Sequence, residues 1–265
     1  MSSIFKEQPL DGGMIPDDSF NKGLPRSIEF LIAAAGLVIL LPVFAICAIL
    51  VRKSSPGEII FRQQRVGRGG SFFTLYKFRT MRVSDGGLPV TAANDGRITR
   101  IGRFLRKWKL DELPEIYNVL RGDMSFVGPR PEVSQFVDLS DPAWNIILSV
   151  RPGITDTVTL FLRNEEALLA AVEDKESFYR DIVQPFKMQG YLDYIQSKGV
   201  KTDLKIIAQT IKVILFPHTA PPPPRLSLSA RAAAAYAAKT TILLIGCLAK
   251  GAYDLSALTP EYLLY

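Results

Sequence analysis

Two adjacent acids, Asp111 and Glu112, follow a basic run that includes Arg103, Arg106 and Lys107, and about twenty residues later the chain reads Gly-Pro-Arg-Pro at 128–131. A carboxylate is already deprotonated at neutral pH, so it can act as nucleophile or metal ligand without a neighbouring base. Arg130 stands between two prolines that stiffen its backbone, and its planar fork suits bidentate contact with phosphate. Acids and arginines near one another suit a site that binds phosphate and a metal together. A plainer reading is also open. "DELPEIYNVLRGD" looks like a helix start with Pro114 in its first turn, and Asp111 would then simply cap that helix and complement its dipole.

Composition narrows the chemistry. The single histidine, His218, lies in a proline-rich stretch, which argues against Ser-His or Cys-His nucleophilic catalysis and against a histidine-ligated zinc. The only cysteines, Cys47 and Cys247, each sit in an apolar segment and read as reduced, buried thiols of a cytosol-facing protein. The net charge of +6 points to anionic partners: phosphorylated substrates, an anionic membrane surface or nucleic acid. No nucleic-acid-binding motif accompanies the basic residues, so nucleic acid is not expected as a partner.

The elements that must position these residues begin with "FLIAAAGLVILLPVFAICAILV", residues 30–51, which contains no charge. As a helix this run is roughly 33 Å long, enough for a hydrocarbon core of about 30 Å. Basic residues flank both ends, Lys22 and Arg26 before it and Arg52 and Lys53 after, which favours keeping both ends on the cytoplasmic side. Pro42 near the middle removes a backbone hydrogen bond and breaks the helix. A bent hairpin and a kinked spanning helix both fit.

Next, "EIIFRQQRVGRGGSFFTLYKFRTM" reads as strand, turn, strand, with Gly67, Gly69 and Gly70 in the turn and no Walker-type Lys-Ser or Lys-Thr. Thr99 caps a helix whose apolar residues are Ile98, Ile101, Leu105 and Trp108, with arginines over the remaining surface. "SVRPGITDTVTLFLRNEE" reads as a turn, a short strand and a helix start, and "KMQGYLDYI" puts Met188, Leu192 and Ile195 on one helical face. In "TDLKIIAQTIKVILF", Thr202 or Asp203 caps a helix with the apolar stripe Leu204, Ile207, Ala208, Ile211 and Leu215. That helix either packs on a core or lies in a membrane interface with its lysines toward lipid phosphates. "FPHTAPPPPR" is a stiff linker, and "ARAAAAYAAKTTILLIGCLA" a peripheral membrane-associated helix.

Taken together, these stretches resemble the monotopic phosphoglycosyl transferases, also called bacterial sugar transferases or polyprenyl-phosphate sugar-1-phosphate transferases. The likeness rests on the apolar helix with its central proline, "FRQQRVGRGG", "YKFRTM", "ITRIGRFLRKWKLDELPEIYNVLRGDMSFVGPRPE" and "RPGIT", and runs from about Arg26 to Phe216. It departs at Leu41, where many members place serine, and after "RPGIT", where this chain continues "DTVTLFLRNEE". The resemblance implies transfer of sugar-1-phosphate from a UDP-sugar to polyprenyl phosphate with release of UMP, starting a membrane-linked glycan at the cytoplasmic face of a bacterial inner membrane. It implies Asp111 as nucleophile, a phosphosugar-aspartate intermediate, and Glu112 as metal ligand or activator of the lipid phosphate. Magnesium, or manganese in its place, would be held in part by Asp111 and Glu112, while Arg106, Arg130, Lys77 and Arg79 would hold phosphates. It also favours the re-entrant helix, bent at Pro42, and a homodimer is compatible with it.

The expected fold is therefore α/β, mainly α: a re-entrant membrane helix at about 28–52, a β-hairpin, a compact helical catalytic core and amphipathic interface helices. The expected organisation is a flexible segment at 1–24, a catalytic core at 25–216, and a proline-rich linker with a helical extension at 217–265. Two other readings are a basic membrane-anchored scaffold and a glycosyltransferase that moves the sugar without its phosphate. The second lacks its usual metal motif, since no two aspartates stand two apart.

Overall fold

The computed structural model describes residues 22–82, 92–172 and 174–221. The expected N-terminal flexible segment up to residue 21, the linker beyond Pro221, the C-terminal helix and Cys247 lie outside the described residues. The described part is mainly helical with two small sheets, and residue contacts divide it into two units. The first contains residues 22–82, 95–163 and 188–221; the second contains 92–94, 164–172 and 174–187.

The apolar run forms two helices, α1 (Arg26–Ile39) and α2 (Leu41–Ser54), bent by 60° at Leu40. Pro42 occupies the first turn of α2, where it has no helical hydrogen bond to lose and cannot donate to the carbonyl of Val38. No single described helix is long and apolar enough to cross a membrane; this bent pair passes by length and composition together. One narrow stripe of the pair faces protein. Ala33 packs with Leu75, Val119 and Met124, and Cys47 and Val51 pack with Phe78 and Leu105. Phe30, Leu31, Val38, Ile39, Leu41, Ile46 and Ile49 are exposed.

The expected hairpin is present. Strand β1 (Ile60–Val66) pairs antiparallel with β2 (Phe72–Phe78), and Phe61 stands opposite Lys77. Gly69 and Gly70 take positive φ in the turn, the backbone region that glycine enters most cheaply. Helix α3 (Arg100–Lys107) starts at Thr99, whose hydroxyl accepts from the Gly102 N–H as expected. Ile98 and Leu105 are buried, with Ile101 and Trp108 half-buried.

Helix α4 (Glu115–Arg121) begins one residue after Pro114, which therefore stands at the cap position rather than inside the first turn. Asn118 fastens α4 to the hairpin: its amide donates to the Thr74 carbonyl at 2.7 Å and accepts from the Tyr76 N–H at 3.2 Å. Arg26 donates to the carbonyls of Val119 and Leu120 at the C-terminal end of α4, where unpaired carbonyls and the helix dipole favour a cation.

A second sheet pairs β3 (Ser125–Val127) in parallel with β4 (Gly153–Thr155), with helix α5 (Pro142–Ile147) between them in sequence. Gly128 and Gly153, from the two proline motifs, approach so closely that a Cβ on Gly153 would fall 2.1 Å from the Gly128 nitrogen. Asp156 caps the short α6 (Thr157–Phe161) by accepting from the Thr159 N–H and hydroxyl. The second unit holds α7 (Glu165–Ala170) and α8 (Lys175–Phe178), where Lys187 pairs with Glu165 at 3.0 Å.

Two long helices follow, α9 (Gln184–Ser197) and α10 (Val200–Leu215). On α9 the buried face is centred on Tyr191, Tyr194 and Ile195, so Met188 and Leu192 flank it half-buried. The expected cap of α10 is corrected. Gly199 holds that position, while Asp203 is buried inside the first turn and accepts from the Leu24 N–H and the Tyr194 hydroxyl. The expected stripe is also turned outward: Ile206 and Val213 face the core, whereas Leu204, Ala208, Ile211 and Leu215 are exposed.

The glycine pair yields a direct test. Gly153→Ala should destabilise the fold by about 1–3 kcal/mol, because the neighbouring atoms are backbone and cannot swing aside. A melting temperature equal to that of the native chain would show that the two strands part without cost.

Candidate functional site

Three chain segments meet at the acidic pair. The first is the turn between α3 and α4. Lys109 takes a left-handed conformation, φ 55°, the only non-glycine to do so among the described residues. Such a backbone costs of order 1–3 kcal/mol and persists only where its surroundings impose it. Here it reverses the chain into a 3-10 turn, Leu110–Glu112, that buries both acids. Asp111 makes no capping hydrogen bond to α4, whose cap is Pro114, so the plain capping reading is not what the structure shows.

The second segment is β2, which carries Lys77. Its ammonium lies 3.2 Å from Glu112 Oε1 and 3.2 Å from Glu115 Oε1. The third is the Gly-Pro-Arg-Pro loop, held from two sides. Val66 N–H donates to the Glu132 carbonyl and Arg65 to the Pro131 carbonyl, while Gly153 N–H donates to the Pro129 carbonyl. The loop so fixed brings Arg130 Nη2 to 2.6 Å from Glu112 Oε1. Lys109 Nζ is a looser neighbour of the same oxygen at 3.9 Å.

The two acids are electrostatically unlike. Burial opposes ionisation of Glu112, but Arg130, Lys77 and Lys109 outweigh it and hold that carboxyl well below the usual range. Burial pushes the Asp111 carboxyl up, and the Glu112 charge adds to this against the pull of Lys77, Lys109 and Arg106. Asp111 Oδ1 is buried with no hydrogen-bond partner among the described residues. Burying such an oxygen without a partner is unfavourable, so it is an unsatisfied acceptor of the site.

The other expected residues divide. Arg106 anchors its Nε on the Thr80 hydroxyl at 2.9 Å and still acts electrostatically on Asp111. Arg79 points elsewhere: it donates to the carbonyls of Pro56 and Ser55 at 2.7 Å each, stapling the chain after α2 to the strand end. Pro42 stands at the helix break, as expected. Sequence reasoning missed Glu115 and Lys109. Glu115 stands three residues after Glu112, a helical neighbour spacing that could have flagged it; the left-handed turn at Lys109 had no sequence signal.

Among the described residues no three His, Cys, Asp or Glu side chains form a group able to hold a metal by themselves. A magnesium ion that also takes phosphate oxygens and water needs only one or two carboxylates, and the unpartnered Asp111 oxygen fits that role.

The bacterial sugar transferase profile matches residues 20–217. The chain is 36% identical over 210 residues to the UDP-glucose:undecaprenyl-phosphate glucose-1-phosphate transferase of Caulobacter vibrioides, covering 77% of this chain and 74% of that protein. It is 36% identical over 203 residues to the protein of the same name in Escherichia coli, covering 74% of this chain and 41% of the other. The UDP-N-acetylgalactosamine-undecaprenyl-phosphate N-acetylgalactosaminephosphotransferase of Aeromonas hydrophila is 33% identical over 209 residues, covering 77% of this chain and 46% of that one. The chain thus spans less than half the length of two of these relatives.

The paired charges set the cost of disrupting the site. Arg130→Met leaves Glu112 short of its closest cation and should destabilise the fold by about 2–3 kcal/mol, below the usual cost for a buried pair because a quarter of the Arg130 side chain faces solvent. Adding Glu112→Gln to it should recover part of that loss in denaturant unfolding. Additive losses would mean the pair is not coupled.

Proposed function

The chain belongs to the bacterial sugar transferase family, and we propose that it transfers sugar-1-phosphate from a UDP-sugar to a polyprenyl phosphate such as undecaprenyl phosphate. The observation that carries this reading is the buried, unpartnered Asp111 oxygen beside Glu112, Lys77 and Arg130. A diphosphate donor needs a carboxylate nucleophile and positive charge around its departing oxygens, and the site has groups for both.

In the proposed first step an Asp111 oxygen attacks the phosphorus that carries the sugar. The bond from that phosphorus to the bridging oxygen breaks, and UMP leaves with that oxygen and its electron pair. The sugar phosphate is then an acyl phosphate on Asp111. An oxygen of the lipid phosphate attacks the same phosphorus, the bond to Asp111 breaks, and the carboxylate is restored as polyprenyl diphosphate sugar departs. Arg130 and Lys77 are within reach of Glu112 and can exchange contact with it for contact with phosphate oxygens. Arg106 completes the positive surroundings. Magnesium, when bound through Asp111 and Glu112, would neutralise charge on the diphosphate. Arg79 is left out of the phosphate-binding set because its guanidinium is committed to carbonyls.

We further propose a monotopic placement at the cytoplasmic face of the inner membrane, with α1 and α2 re-entrant. Their 60° bend and apolar exposed surface support it, as does the outward stripe of α10 with Lys201, Lys205 and Lys212 nearby. The product would start assembly of a membrane-linked glycan, such as exopolysaccharide, O-antigen, capsule or a glycoprotein glycan.

The native chain should release UMP from one or more of a panel of UDP-sugars in the presence of magnesium and undecaprenyl phosphate, and EDTA should stop the release. Asp111→Asn should lose activity by at least about a thousandfold while melting at or above the native temperature, because a costly buried charge is removed. Native-like release by that variant would overturn the nucleophile, and release of UDP would point to a transferase that moves the sugar alone. Cysteines placed just before Ile28 and just after Lys53 should both react with a membrane-impermeant maleimide only from the cytoplasmic side. Labelling from opposite sides would replace the re-entrant pair with a spanning one.

A further inference from the structure

Glu115 is the third carboxylate of this region and the least accessible, with 2% of its side chain exposed. It caps nothing: α4 has no side-chain cap, and Glu115 turns inward from the first helical turn. Its Oε1 lies 3.2 Å from Lys77 Nζ, an ion pair without the alignment of a hydrogen bond. Lys77 thus sits between two carboxylates that play unequal parts. Glu112 Oε1 accepts a hydrogen bond from Lys77 at 3.2 Å but also meets Arg130 at 2.6 Å, so its hold on Lys77 is shared. Glu115 feels the Arg130 charge but makes no direct ion pair with it among the described residues, and α4 is fastened to β2 through Asn118 at Thr74 and Tyr76, the second next to Lys77.

We infer that Glu115 is the positioning residue for Lys77, holding its ammonium at the Asp111–Glu112 turn so that it is in place when the donor diphosphate arrives. Two facts make this more than local charge balance. Lys77 Nζ lies 3.2 Å from Glu112, the chain neighbour of Asp111, so its location bears on the turn that carries the reacting group. A flexible four-carbon stem also has many alternative placements, and with 17% of the lysine side chain exposed, solvent competes for it. An acid fixed by burial removes that freedom before substrate binds.

The inference rests on the proposed transferase reading, so its test has one arm that needs no turnover. Reductive methylation with limiting formaldehyde, read by mass spectrometry, should modify Lys77 several-fold more in Glu115→Gln than in the native chain, while exposed Lys201 and Lys205 stay constant. Unchanged Lys77 labelling would overturn the inference whatever the activity. In the second arm, Glu115→Gln should lower kcat/KM for UMP release between about tenfold and a hundredfold, the effect of a misplaced group. It should have no further effect in a Lys77→Met background. An equal loss in both backgrounds would mean that Glu115 acts independently of Lys77 and would sink the proposal. Glu115→Asp, which keeps the charge one methylene shorter, should recover part of the lost rate and much of the native labelling. If the native chain released no UMP, the functional reading would fall and the labelling arm would still decide the pairing.

Discussion

One carboxylate oxygen, Oε1 of Glu112, is shared by Arg130, Lys77 and Lys109, and the surrounding structure is arranged to make that sharing stable. An isolated buried charge is costly, and a single partner often fails to offset the loss of water. Several cations from separate segments succeed because the acid is solvated by protein instead. Each segment is then held by its own device: Asn118 ties α4 to β2, the left-handed Lys109 turns the acids inward, and close glycines bring the Arg130 loop beside β4.

The same cluster separates the fates of two neighbouring acids. Glu112 takes the strong cation contacts and stays ionised, while Asp111 keeps a buried oxygen without a partner. Environment rather than residue type assigns the roles, since adjacent carboxyls in different surroundings behave differently. An unsatisfied buried oxygen costs stability, which is the trade expected if Asp111 is the proposed nucleophile. The elements with an exposed apolar surface bear on the same point. The pair α1–α2 packs on the hairpin, α3 and α4 through Ala33 and Cys47, so the elements that form the site lie against the pair that carries the exposed apolar surface.

Periodicity located most elements without deciding which face of a helix turns inward. In α10 the apolar stripe is real, yet the core takes Ile206, Val213 and the polar Asp203, leaving the stripe outside. A hydrophobic stripe signals that a face avoids water, without saying whether protein or something else covers it. Arg79 was misjudged for a similar reason. A basic residue in a basic stretch reads the same whether its guanidinium meets phosphate or, as here, two backbone carbonyls.

The sequence by itself determined the local features. Thr99 caps its helix, Gly69 and Gly70 turn the hairpin, and Pro42 stands at the break in the apolar run, because each depends on one residue's backbone preference or hydrogen-bonding capacity. Composition argued against histidine chemistry, and the spacing of Asp111, Glu112 and Arg130 picked out the region of the candidate site. Tertiary structure alone decided which of those groups meet. It paired Glu112 with Arg130 across 18 residues and with Lys77 across 35, drew in Glu115, and left Asp111 Oδ1 open. Long-range charge contacts depend on where separate segments cross and how much water they exclude, and neither quantity is written in the spacing of residues along one chain.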